Sequence, residues 1–219
     1  MDLALSDHFR SVAMESNKYY KEYIEKQKEK VFAAKHKELG GLWWEVEYHK
    51  DDKLHMVQEI GKVISLEKKK ILIIGARWGS DVLAFMFGGY KREDIIAVDL
   101  HDPPLSDLVR FGDAHDLSFC DKDIDVVWIY HAFEHFLKPS LVLNEIRKYT
   151  KQQAHIVIVH PPFDSKRGAY DVYGGYDDET GFNALFCRSG FKKIYSGEYT
   201  NTKNISRYFV FQKQRIGWI

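Results

Sequence analysis

Long apolar runs are missing: nowhere in the 219 residues do about 18 consecutive apolar side chains occur. The opening stretch MDLALSDHF also lacks a basic region followed by an apolar one. The expectation is a protein that neither spans a membrane nor carries a secretory signal peptide, and that works in the cytoplasm. Cysteine is scarce, with only Cys120 and Cys187, and their separation fits neither a zinc site nor a redox pair. No disulfide framework is implied. An excess of charge of one sign is missing too, since 32 Lys and Arg balance 32 Asp and Glu. A broad basic face for RNA or DNA is therefore not expected, although a local basic groove is compatible with that balance. Internal repeats and low-complexity segments are absent, and the length suits one α/β domain with a helical extension.

What is present begins with a polar, Lys- and Glu-rich stretch from Ser6 to Leu39 that has neither Gly nor Pro. It predicts a helix, capped by Ser6 or Asp7 and stopped by Gly40 and Gly41. Trp43 and Trp44 follow, then a second amphipathic stretch near Lys53 to Ser65. We expect residues 1–66 to form an N-terminal helical extension or lid packed on a core domain of residues 67–219. Within that core, ILIIG at Ile71 to Gly75, IIAVD at Ile95 to Asp99, VRFGD at Val109 to Asp113 and IDVVWIY at Ile124 to Tyr130 read as buried parallel strands. HIVIVHPP is a fifth strand, ended by Pro161 and Pro162. Helical spacing lies between strands at Asp81 to Phe87, at Leu141 to Tyr149 and near Asp178 to Ser189. FKKIYSGEY and ISRYFVFQK close the chain as a pair of strands. Strands alternating with helices predict an α/β fold, a doubly wound sheet with right-handed crossovers.

In such a sheet ligands bind beyond the carboxyl ends of the strands, where the strand order reverses. The turn GARWGSD after the first strand sets Gly75 and Gly79 where a ligand can approach backbone amides and a helix N-terminus. Glycines there also serve simply to close a turn. Asp99 ends the second strand about 20 residues further on, where a carboxylate can accept hydrogen bonds from both ribose hydroxyls. A lone aspartate at a strand end is equally a cap or turn residue.

The most specific segment is FGDAHDLSFCDKDIDVVWIYHAFEHFLKP, from Phe111 to Pro139. Its Gly112-Asp113-Ala114, Leu117-Ser118-Phe119, acidic turn Asp121 to Asp123, Asp125-Val126-Val127, Glu134-His135 and Pro139 resemble the third and fourth strands of small-molecule (methyltransferase type 11-like) class I S-adenosylmethionine-dependent methyltransferases. The resemblance runs from about Lys70 to Val159. It implies a Rossmann-like seven-stranded sheet, mostly parallel with an antiparallel C-terminal strand, and S-adenosyl-L-methionine as cofactor. It also implies a cofactor set of Gly75, Ala76, Arg77, Gly79, Asp81, Asp99, Leu100, Asp113, Ala114, His115, Tyr130 and His131. In that set Asp113 would hold the adenine amino group, Ala114 and His115 would give backbone contacts, and Tyr130 to Ala132 would line the methionine end.

The sequence departs from the family pattern in three places. Ile73 stands where the family has an acidic residue, and Arg77 replaces its central glycine. Arg77 could pair with a carboxylate in a bidentate fork or turn outwards. Only ten residues separate Asp99 from Arg110, so the helix between the second and third strands must shrink to a turn or less. Adenine would then be more exposed, or covered by His101 to Leu105. A nicotinamide dehydrogenase shares the strand, turn and acid, but its G-x-G-x-x-G pattern needs glycine where Arg77 and Ser80 stand. His160-Pro161-Pro162-Phe163 is similar to the Asn-Pro-Pro-aromatic motif of amino-group methyltransferases, yet it follows the fifth strand rather than the fourth and reads as a strand terminator.

Transfer to oxygen needs a base beside the acceptor. His131, His135 and His160, at the ends of the fourth and fifth strands, are the candidates for it. Each is also explained as a packed, hydrogen-bonded histidine, and Glu134 as a charge near a helix start. No tight ligand spacing predicts a metal among His131, His135, His160 or the acids Asp171, Asp177, Asp178 and Glu179. Tyr170, Tyr173 and Tyr176 lie in a long aperiodic segment and, with Trp43 and Trp44, could wall an acceptor site or pack as core and surface. The expected acceptor is a small polar molecule, first a sugar or glycan hydroxyl, with no nucleic-acid or membrane partner. The alternatives are a non-catalytic cofactor-binding subunit, or a methyltransferase of protein or nucleic acid.

Overall fold

The computed structural model describes residues 42–100, 106–121, 123–163, 176–200 and 205–215, with side chains from residue 52 onward. The helix expected over Ser6 to Leu39 lies outside these residues, as do Tyr170, Asp171 and Tyr173 and the cover expected from His101 to Leu105. The first described element is α1, Leu42–Val63. It starts just after Gly40-Gly41, so Trp43 and Trp44 fall in its first turn and the second amphipathic stretch belongs to the same helix.

Seven strands form one sheet: β1 Ile71–Ile74, β2 Ile95–Asp99, β3 Arg110–Phe111, β4 Ile124–Tyr130, β5 Thr150–His160, β6 Phe191–Thr200 and β7 Ile205–Lys213. Their order is β3-β2-β1-β4-β5-β7-β6. The first five pair in parallel. β7 runs antiparallel to both β5 and β6, so a terminal hairpin adds the one reversed strand the sequence predicts. The connecting helices are α2 Ser80–Phe87, α3 Pro139–Tyr149 and α4 Glu179–Arg188. Pro139 opens α3 at a position where its missing N–H breaks no helical bond. Asp178 caps α4 by accepting from the Gly181 N–H at 2.7 Å.

Strand residues point alternately to the two faces, and each face closes on its own helices. Ile71, Ile73, Val126, Trp128, Val157 and Val159 pack with Met56, Val57 and Ile60 of α1 and Val82 and Phe85 of α2. Leu72, Ile74, Val127, Ile129, Ile156 and Ile158 pack with Val142 and Ile146 of α3 and Phe182 and Phe186 of α4. On this second face Phe182 is fully buried and its ring centre lies 4.9 to 5.5 Å from those of Phe133, Phe186 and Phe209. Burying such a side chain contributes about 1.5–3 kcal/mol.

Two strands differ from the sequence expectation. β3 is two residues, not the five of Val109 to Asp113, because at the sheet edge it pairs only through Val98–Arg110 and Asp99–Phe111. β5 begins at Thr150 rather than His155: Lys151, Gln152 and Gln153 near its start are exposed, and the register with β4 shifts between Ile124 and Val126. Among the described residues no helix is long and apolar enough to cross a membrane.

Candidate cofactor and active site

The strand order reverses between β1 and β4, and the turn after β1 lies at that point. The Gly75 and Ala76 N–H groups both donate to the Val98 carbonyl at 3.0 Å, tying the turn to β2. Gly75 is left-handed at φ 76°, and a Cβ there would lie 2.4 Å from the Cβ of Ala132. The end of β1 therefore touches the residues after β4 through a gap only glycine can leave. Arg77 is also left-handed, at φ 49°, a region that costs an ordinary residue about 1–2 kcal/mol. The Asp99 carboxylate holds it there, Oδ2 accepting the Arg77 N–H at 2.8 Å. Substitution of the family's central glycine thus leaves a left-handed turn in place. Gly79, at φ 91°, precedes α2, and no side chain caps that helix. Its first amides face the end where the helix dipole favours negative charge.

The neighbouring strands close around this turn. The Gly112 N–H donates to the Asp99 carbonyl at 2.9 Å, bringing β3 against β2. Ser106 reaches back with its hydroxyl to the Trp78 carbonyl at 2.7 Å. Asp113 Oδ1 accepts the His115 N–H at 2.8 Å and lies 2.8 Å from the ring Nδ1 of the same residue, which fixes the GDAH loop. Asp99, Leu100, Asp113 and His115 are half-buried and Ala114 is buried. Each of the two aspartates thus holds a backbone amide of the loop beside it through its carboxylate. A left-handed amide turn, an aspartate at the next strand end and a second aspartate beyond the third strand fit a nucleoside joined to a charged amino-acid tail.

Two of the expected site residues have other work. Asp81 is 2 % exposed, with Oδ2 2.6 Å from Lys53 Nζ and Oδ1 accepting from the Trp128 indole at 3.1 Å. It is a buried counter-ion beneath the turn rather than a ligand-facing group. Lys53, from α1, also donates to Ser80 Oγ at 2.7 Å and lies 5.0 Å over the Tyr130 ring. Burial, then the negative charge of Asp81 and Asp52, push the Tyr130 phenol far above its usual pKa. His160 is wholly buried, stacked on Phe163 with ring centres 4.6 Å apart, its Nε2 3.0 Å from the Tyr176 hydroxyl and its Nδ1 2.5 Å from the Pro161 carbonyl. That places this candidate base inside an aromatic cluster, away from solvent. Tyr176 is 3 % exposed in the same cluster, so it belongs to the core and not to an acceptor wall.

His131 and His135 remain at the open end. His131 follows β4 at φ 48°, its N–H donating to the Val159 carbonyl at 2.9 Å. Its side chain is 34 % exposed and its Nε2 lies 3.0 Å from Ser206 Oγ on β7. His135 is half-buried in the short 3-10 turn Phe133–His135. Among the described residues no group of three or more His, Cys, Asp or Glu side chains could hold a metal ion.

Sequence reasoning missed Lys53 and Ser206. Lys53 lies on the stripe of Met56, Val57, Ile60 and Ile64, and a charge on an apolar stripe at helical spacing was the available signal for a buried partner. Ser206 carried none, because its contact with His131 spans 75 residues and arises from strand pairing.

A seven-stranded sheet in this order, five strands parallel and β7 reversed, is the class I methyltransferase fold. Residues 74–158 match the family model described as a methyltransferase domain. No curated protein matches the chain. Among solved structures, a methyltransferase of Haloferax volcanii in complex with the Trm112 methyltransferase activator matches with TM-score 0.59 and 14 % identity, over 77 % of this chain and 93 % of that one. The magnesium protoporphyrin IX methyltransferase of Synechocystis PCC 6803 with bound S-adenosylmethionine matches with TM-score 0.56 and 11 % identity, over 76 % and 80 %. A methyltransferase of Methanosarcina mazei matches with TM-score 0.56 and 16 % identity, over 71 % and 97 %. The chain has the fold of class I methyltransferases, and within it residues 74–158 resemble a methyltransferase domain.

Proposed function

We propose that the protein transfers the methyl group of S-adenosylmethionine to a hydroxyl oxygen of a small polar acceptor, a sugar or glycan first, with His131 as the base. The observation that carries this reading is the meeting of Gly75 with Ala132, which sets the half-exposed His131 beside the cofactor turn. Bound S-adenosylmethionine supplies an electrophilic methyl group on a sulfonium. The chain then has to hold an acceptor oxygen in line with it and exclude water. His131 would take the acceptor's hydroxyl proton on its imidazole as the oxygen gains the methyl group in exchange for the bond to sulfur. The ribose hydroxyls are assigned to Asp99, the adenine amino group to Asp113, and backbone contacts to Gly75, Ala76, Gly79, Leu100, Ala114 and His115. The absence of net charge supports a neutral acceptor over a nucleic acid. The free thiols of Cys120 and Cys187 suit a reducing compartment, and the proposal places the protein in the cytoplasm.

The test is transfer of a radiolabelled methyl group to a panel of saccharides, peptides and RNA, with wild type and His131→Gln. The expected result is an alkali-stable ether on a saccharide, with kcat about 10²- to 10⁴-fold lower in the variant at unchanged cofactor affinity. Label entering only peptide or RNA, or undiminished kcat in the variant, contradicts it.

A further inference from the structure

Glu134 is the one acid in the short turn Phe133–His135 and is 3 % exposed. Its Oε1 lies 3.6 Å from Nδ1 of His131, too long for a firm hydrogen bond but well within charge range. Its Oε2 is buried with no hydrogen-bond partner among the described residues. Enclosing a carboxylate so fully is costly unless positive charge or hydrogen bonds compensate. Burial by itself pushes the Glu134 carboxyl up, but its interaction with His131, then the charges of His135 and His160, bring it below its ordinary value. The carboxyl group thus lies against the His131 imidazole.

We infer that Glu134 is a positioning residue: its carboxylate keeps the ring proton of His131 on Nδ1 and leaves the Nε2 lone pair as the working base. With the proton on Nδ1, Nε2 accepts the Ser206 hydroxyl at 3.0 Å, and an acceptor hydroxyl takes the place of Ser206 when it binds. A carboxylate that orients a histidine tautomer is the usual support for an imidazole base, and such contacts tighten on substrate binding. The groups facing Glu134 are His131, His135 and His160, the last bonded in turn to Tyr176. The inference rests on His131 being the base of the proposed reaction.

The test uses ¹⁵N-histidine-labelled full-length protein and long-range ¹H–¹⁵N correlation spectra across pH, for wild type, Glu134→Gln and Ser206→Ala. Cofactor binding to the same samples is measured by calorimetry. The expected result is a neutral Nδ1–H tautomer of His131 in wild type and Ser206→Ala, and loss of that tautomer preference in Glu134→Gln. A wild-type Nε2–H tautomer, or an unchanged Nδ1–H tautomer in a folded Glu134→Gln, overturns the inference. If that variant does not fold, the wild-type tautomer decides alone. An Nδ1–H tautomer without binding of S-adenosylmethionine counts against the methyltransferase reading and leaves the positioning role standing.

Discussion

Replacing Lys53 by methionine is expected to destabilise the protein by about 3–5 kcal/mol, because it leaves the carboxylate of Asp81 buried without its counter-ion. Lys53 Nζ is the donor at 2.6 Å on one Asp81 oxygen, and only the neutral Trp128 indole serves the other. In a domain of this size the loss corresponds to a fall of roughly 6–20 °C in the unfolding midpoint. The double variant Lys53→Met with Asp81→Leu removes both charges and is expected to recover most of that loss, since buried pairs often contribute little net stability over apolar replacements. Thermal unfolding of these two variants and of Asp81→Leu alone checks this. Additive losses in the double variant would show that the two residues act independently. The pair also links the helix before the sheet to the helix that opens the cofactor turn, so cofactor affinity should fall with the single variant and return with the double one.

Asp99→Ala is expected to weaken S-adenosylmethionine binding on the order of 100-fold. Two losses combine: the hydrogen bonds assigned to the ribose, charge-assisted and contributing about 1.5–3 kcal/mol each, and the acceptor that holds Arg77 at φ 49°. Asp99→Asn keeps an oxygen for the Arg77 amide and loses only charge, so a smaller loss, about tenfold, is expected. Calorimetric titration of both variants separates the two contributions. Equal, small losses in both would place the ribose elsewhere.

Much of the fold was legible because the central strands are buried on both faces. The reading of β4 as Ile124 to Tyr130 matches the strand end to end, since its apolar residues, interrupted only by Asp125, lie between polar residues that mark its limits. The edge gave no such mark: β3 depends on how far β2 reaches, and nothing local in VRFGD reports that. At the site, the glycine turn and Asp99 were visible through spacing, and the structure joins them by the Arg77 amide. What spacing could not convey is enclosure. His131, His135 and His160 look alike in sequence, yet His160 is shut among Phe163, Tyr176 and Phe182 while His131 keeps an open side. Asp81 likewise reads as a first-turn acid near a ligand until Lys53 is brought against it from 28 residues away.

Arg77 shows how a departure from the family pattern can leave the local backbone intact. Its left-handed conformation is one that a side chain tolerates at modest cost, and the Asp99 bond offsets that cost. The same substitution argues against a dinucleotide, whose pyrophosphate needs the close approach that glycine allows.

The most direct measurement is calorimetric titration of the wild-type protein with S-adenosylmethionine and, separately, with NAD. Saturable one-to-one binding of S-adenosylmethionine and no heat of binding with NAD is the predicted result. Binding of NAD in its place, or of neither, would contradict the assignment of this turn and these two aspartates to a methyl donor.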